Sequence, residues 1–185
     1  MKKFPDFLKK NNDMEIINKL GQKISLAEWQ ELYNLPAGSK QIGKFFAIGE
    51  HSIYDEGFLA APLIMVLDKY RELKGRPVMI NSMYRTQRHQ DNLNAAGYRT
   101  ATTSPHVAGM AADVDTTSER DTYDSVSLLV KAAKQLGIKI RLGYHAYLAD
   151  GNTFIHVDVC PEYYAPGKPY YGQDHPTQWE RAIVW

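Results

Sequence analysis

The chain has 185 residues, with 22 lysines and arginines against 21 aspartates and glutamates, a formal net charge of +1. That length fits one domain with a small appendage, and 44% hydrophobic residues suffice for a sizeable core. The near-neutral balance without a Lys/Arg cluster argues against a nucleic-acid groove, and no apolar run is long enough to span a bilayer.

Residues 1 to 44 are expected to form an N-terminal helical appendage, and residues 45 to 185 the main domain with a wrapping C-terminal tail. The opening Met1-Lys2-Lys3-Phe4-Pro5-Asp6 carries positive charge but no apolar stretch after it, so no secretory signal is read. Synthesis in the cytoplasm is expected, with export by another route left open. Asn12-Asp13 can cap a short helix carrying Ile16, Ile17 and Leu20. Ser25 can cap a second, with Leu26, Trp29, Leu32 and Tyr33 on one face. Pro36-Ala37-Gly38-Ser39 then breaks the chain.

In the main domain, Asp55 is expected to precede a helix running to about Lys74, with Leu59, Leu63, Val66, Leu67, Tyr70 and Leu73 at helical spacing and Gly75 ending it. Pro77 to Ser82 reads as a strand, and Thr86 caps a short helix to about Ala96. Met110 to Asp115 reads as a strand of small residues. Asp121 to Leu136 reads as a helix with Val126, Leu129, Val130 and Ala133 inward, stopped by Gly137. Ile138 to Leu142, Ala146 to Ala149 and Thr153 to Val159 read as strands, the last two joined by a hairpin at Asp150-Gly151. Helices and strands interleave and the final strands meander. The predicted fold class is therefore α+β, with helices packed on a mostly antiparallel sheet. In the tail, Trp179 and Trp185 are expected to act as anchors. Packing is preferred over a sugar platform for Tyr163, Tyr164, Tyr170 and Tyr171.

Two stretches carry chemistry: Ser104-Pro105-His106-Val107-Ala108-Gly109-Met110-Ala111-Ala112-Asp113 and Phe154-Ile155-His156-Val157-Asp158. His106, Asp113 and His156 supply two imidazoles and a carboxylate, a set that suits Zn²⁺ with one coordination position left for water. Asp113 sits among Ala111, Ala112 and Val114, where a carboxylate is costly unless paired or metal-bound. Each ligating histidine should donate its other ring N–H to an acceptor, and Asp115 and Asp158 lie where either could serve. His51, His89 and His175 read as ordinary exposed or satisfied histidines. Arg85, between a strand and a helix, either grips a substrate carboxylate or carbonyl or forms a surface ion pair. Cys160 has no cysteine to pair with and reads as a small buried apolar residue.

Ser104-x-His106-x-x-Gly109-x-Ala111-x-Asp113, followed by His156-x-Asp158, resembles the zinc D-alanyl-D-alanine peptidases. These share a fold with the hedgehog signalling domain and lysostaphin-type peptidases. Asn81-Ser82-x-Tyr84-Arg85-Thr86 is similar to that family's arginine motif, and the resemblance covers about residues 45 to 160. It implies Zn²⁺ held by His106, Asp113 and His156, with Arg85 binding the substrate or polarising its carbonyl. Ser104 would support the first ligand loop. The implied substrate is a peptide bond in a peptidoglycan stem, cut by a carboxypeptidase or an endopeptidase, and a monomer is expected. The pattern departs from its relatives at Thr153 and Phe154, where several branches carry an acidic base or a histidine. Asp150 matches the acidic position of the hedgehog-like pattern; His145 and Asp158 are further candidates for the base. The alternative is a non-catalytic, zinc-containing module that binds cell wall or protein. Release by a lysis system, as for a phage endolysin, also fits the absence of a signal.

Overall fold

The computed structural model describes residues 14–50, 57–98 and 104–160. The predicted capping pair Asn12-Asp13, Asp55 ahead of the predicted helix, His51, His175, the tail tyrosines, Trp179 and Trp185 all lie outside the described residues.

The N-terminal part is less helical than predicted. Glu15–Ile17 (β1) pairs antiparallel with Lys23–Ser25 (β2) and parallel with Phe58–Ala60 (β3). The helix expected to carry Ile16, Ile17 and Leu20 is thus a strand and a turn. Asn18 Oδ1 accepts from the backbone N–H of Leu20 and Gln22, and Gly21 takes φ 78°, which closes the hairpin. Two adjacent β-branched residues suit that pleat better than a helix. Leu26–Leu32 (α1) follows, with Ser25 as its cap. Ser25 Oγ accepts from Glu28 N at 3.2 Å, while Glu28 returns a carboxylate to Ser25 N at 2.7 Å. Leu26 and Trp29 are buried as expected, but Leu32 faces solvent. Trp29 Nε1 donates to the Ile42 carbonyl, tying the helix to the next segment.

Ala61–Lys74 (α2) begins later than predicted, because Phe58–Ala60 is taken by pairing with β1 and Pro62 suits a first helical turn. Gly75, at φ 68°, ends it as predicted. Ile80–Ser82 (β4), Gln87–Ala95 (α3, capped by Thr86) and Ala111–Asp115 (β5) follow. Glu119–Leu136 (α4) is capped by Ser118 and stopped by Gly137. Arg141–Gly143 (β6), His145–Ala149 (α5) and Phe154–Asp158 (β7) complete the described elements.

The four-stranded sheet has the order β4-β5-β7-β6, every pair antiparallel, as the predicted α+β class requires. One predicted strand is wrong: residues 146–149 are helical. Both edges of β7 are already taken, by β5 and β6, so a hairpin partner has nowhere to pair. Asp150 is instead the C-cap of α5, and Gly151 turns the chain at φ 80°.

Alternation along the strands divides the sheet into two faces. Ala112 and Val114 of β5 and Ile155 and Val157 of β7 join the core, in which α2 and α4 pack against each other. That core also takes in Ile16, Leu26, Trp29 and Ile42. The other face carries Asp113, Asp115, Phe154, His156 and Asp158. The register sets Asp113 directly opposite His156. Among the described residues, no helix is long and apolar enough to cross a membrane.

Candidate metal centre

Three segments deliver the predicted ligand residues to one point. Asp113 and His156 meet as cross-strand partners, and the turn before β5 swings His106 over them. Gly109 makes that turn possible. Its φ is 65°, and a Cβ there would collide with the backbone carbonyl of Phe58. The Gly109 carbonyl in turn accepts from Ala60 N at 2.8 Å, fastening the loop to β3.

His106 Nε2 lies 3.2 Å from Asp113 Oδ1 and 3.2 Å from His156 Nδ1, and His156 Nδ1 lies 3.1 Å from Asp113 Oδ1. Four-coordinate zinc with ligand bonds of about 2.0–2.1 Å sets its donor atoms about 3.3–3.4 Å apart. The triangle of two nitrogens and one oxygen therefore fits one face of such a tetrahedron. Among the described residues these three form the one group of histidine, cysteine and acidic side chains able to share an ion, and all three are buried.

The surrounding bonds orient the rings. His106 Nδ1 donates to the Met83 carbonyl at 2.6 Å, which fixes its proton there and leaves the Nε2 lone pair facing the site. Ser104 Oγ accepts from His106 N at 3.4 Å, consistent with support of the loop. His156 Nε2 faces Asp158 Oδ2 at 3.4 Å. Of the two aspartates considered for this part, Asp158 takes it; Asp115 is instead within 3.5 Å of Asn81 Nδ2. Arg85 is at the site: its Nη2 pairs with Asp113 Oδ2, and its Nε donates to Ser82 Oγ at 2.7 Å. Asp113 thus gives one oxygen to the imidazoles and the other to the guanidinium.

Electrostatics follow from that packing. Burial pushes the His106 pKa down, only partly opposed by Asp113. Burial opposes ionisation of Asp113, but the charges and hydrogen bonds of His106 and His156 hold its carboxyl well below the usual range. Burial also works against a charged His156, yet bonds to Asp113 and Asp158 raise it to about 9. Without a cation, a proton on this ring occupies the space between the donors.

A cavity of about 510 Å³ opens beside Asp113. Arg85, Met83, Tyr84, His89, Tyr98 and Phe154 contribute to its walls. Asp113 is the one carboxylate lining it among the described residues. The three residues considered as a base lie elsewhere. Asp158 is fully buried, Asp150 is the exposed C-cap of α5, and His145 opens α5 with its ring stacked on Tyr144 at 4.3 Å.

Two residues were not singled out from sequence. Tyr147, on α5, packs tilted against Phe154 with ring centroids 4.0 Å apart. Burial and then the charge of Asp113 raise its phenol to about 12, against a smaller opposing effect of Arg85, so it remains a hydrogen-bond donor. Arg141 lies opposite Asp158 in the sheet. Cys160 is buried beside the Met110 sulfur, and burial raises its thiol to about 12, which matches an inert packing residue.

A sequence profile described as Peptidase M15 matches residues 47–158. Among solved structures, the Serratia marcescens L-Ala D-Glu endopeptidase ChiX is similar at 17% identity and a TM-score of 0.48, over 55% of this chain and 80% of that one. No curated protein matches the chain.

Proposed function

The chain belongs to the peptidase M15 family, and from that premise we propose that it is a zinc-dependent peptidase cutting peptide bonds in peptidoglycan stem peptides. One observation carries the zinc part of the reading: the convergence of His106 Nε2, Asp113 Oδ1 and His156 Nδ1 at 3.1 to 3.2 Å. Zinc bound there would supply a Lewis acid able to polarise a carbonyl and acidify water. The chain's own residues do the rest. Met83 and Asp158 hold the two imidazoles in ligating orientation. Arg85, at the cavity wall, offers N–H donors to a substrate carbonyl or carboxylate. The Tyr147 phenol stays protonated beside Asp113 and adds a neutral donor for developing oxyanion charge. Asp158 is enclosed and paired with Arg141, which leaves His145 and Asp150, at opposite ends of α5 and outside the cavity lining, or another base as candidates for proton acceptance.

Purified protein should hold close to one zinc per chain by elemental analysis. His106→Ala should lose the metal and all cleavage of purified sacculi, read by chromatography of the fragments. Cleavage retained in that variant rejects the proposal. The fragments also separate a carboxypeptidase, which frees a terminal amino acid, from an endopeptidase.

A second reading has its own observation. Asp113 is the one described carboxylate lining the cavity, and Thr153 and Phe154 stand where relatives carry a base. A zinc-containing module that binds wall peptides without cutting them would give retention on sacculi and no new fragments. If Asp150→Asn and His145→Ala both cut at the wild-type rate, neither residue is the base.

A further inference from the structure

We infer that Arg141 is a positioning residue of the metal centre, acting through Asp158 to hold the His156 ring in its ligating pose. The inference rests on the zinc reading above.

The sheet register creates the arrangement. Arg141 on β6 faces Asp158 on β7, and Asp158 stands two residues beyond His156 on the same strand face. Both charged side chains have 0% exposure. Asp158 Oδ1 accepts two hydrogen bonds, from Arg141 Nε at 2.8 Å and the Cys160 backbone N–H at 3.0 Å, and Arg141 Nη2 lies 2.6 Å from it as an ion-pair contact. Oδ2 receives none of them. It is buried, has no hydrogen bond among the described residues, and lies 3.4 Å from His156 Nε2. One oxygen is saturated and the other is aimed at the imidazole.

Stability alone does not explain this pair. Taking a guanidinium and a carboxylate wholly out of water costs several kcal/mol per ion, and apolar residues of equal volume are often as stable or better. What the pair supplies is a carboxylate whose rotation is blocked. An acceptor on the far nitrogen of a ligating histidine fixes its tautomer and ring angle, and removing such an acceptor typically weakens metal binding 10- to 100-fold. Without the guanidinium, Oδ1 loses one of its two hydrogen-bond donors and its ion-pair partner, and the carboxylate is free to turn Oδ2 away from the ring.

The test measures zinc affinity by competition with a chromophoric chelator, on the full chain, together with urea unfolding of the metal-free protein. Arg141→Met and Asp158→Asn should each weaken zinc about 10- to 100-fold. The double variant should be no weaker than the worse single one, because the two act in series. Arg141→Lys, which keeps a cation, should recover part of the loss. The pair replaced by Arg141→Met with Asp158→Leu serves as the folding control: it should unfold near the wild-type urea concentration yet still bind zinc weakly. Should Arg141→Met not fold, the near-isosteric Asp158→Asn decides. Wild-type zinc affinity in folded Asp158→Asn or in the Met/Leu pair overturns the inference while leaving the zinc reading intact. A wild-type chain that takes up no zinc overturns the zinc reading itself and this one with it.

Discussion

Two ring nitrogens facing each other at 3.2 Å repel unless something positive lies between them. In the metal-free protein that charge is the proton on His156, whose pKa rises from 6.5 to about 9. A folded-state pKa above the unfolded value stabilises the fold fully below the unfolded pKa, and the benefit fades as pH climbs through the folded one. The stabilisation from His156 should therefore be present below about pH 6.5 and disappear toward pH 9 in chelated protein. Zinc must displace the same proton, so its apparent affinity should climb as pH rises toward about 9 and level off above. Chelator competition across a pH series checks this, and a flat profile contradicts it. Tyr147→Phe is a second test at this scale. The ring should still pack against Phe154 and zinc content should not change, while turnover of wall peptides falls about 10²-fold as one oxyanion donor is lost.

Elements with a repeated signal were legible in the chain, and elements defined by a partner were not. Leu63, Val66, Leu67 and Tyr70 lie on one helical stripe, and a left-handed glycine closes α2 and α4 alike. The Ser25 capping box is equally local; Ser25→Ala should lose about 1 kcal/mol in urea unfolding, and Ser25→Asn much less. Ile16-Ile17, by contrast, fits either period, and only pairing with Ile24 and Leu59 selects the strand. The five residues of α5 are too few to show a helical period, so Tyr147 was hidden with them. The candidate ligand triad was readable because its spacing is a motif. Arg141 was not, because its relation to Asp158 exists only through the register of β6 on β7. At the turn before β5, Gly109→Ala combines a left-handed φ with a collision at Phe58. It should lower stability by at least about 1–3 kcal/mol and reduce zinc uptake with it.

Across the whole molecule, residues outside the family match share its core. Ile16 is fully buried in the same cluster as Leu63 and Leu129, so Ile16→Ala should cost about 2–5 kcal/mol by urea unfolding, as large-to-small changes in a common core do. A metal that binds only the folded chain adds to that stability by mass action. Zinc held free at a hundredfold excess over its dissociation constant should add about 2.7 kcal/mol, lost on chelation. One further coupling runs through the middle of the fold. His106 donates to the Met83 carbonyl, and Arg85 N donates back to the His106 carbonyl at 3.1 Å. The guanidinium proposed to meet the substrate and the imidazole proposed to meet the ion are thereby bolted to the same few backbone atoms. On the proposed reading, a visitor pressing on the guanidinium should tilt the imidazole, so a cobalt-loaded sample should change colour on occupancy alone, and inhibitors could be sought by eye before any substrate is in hand.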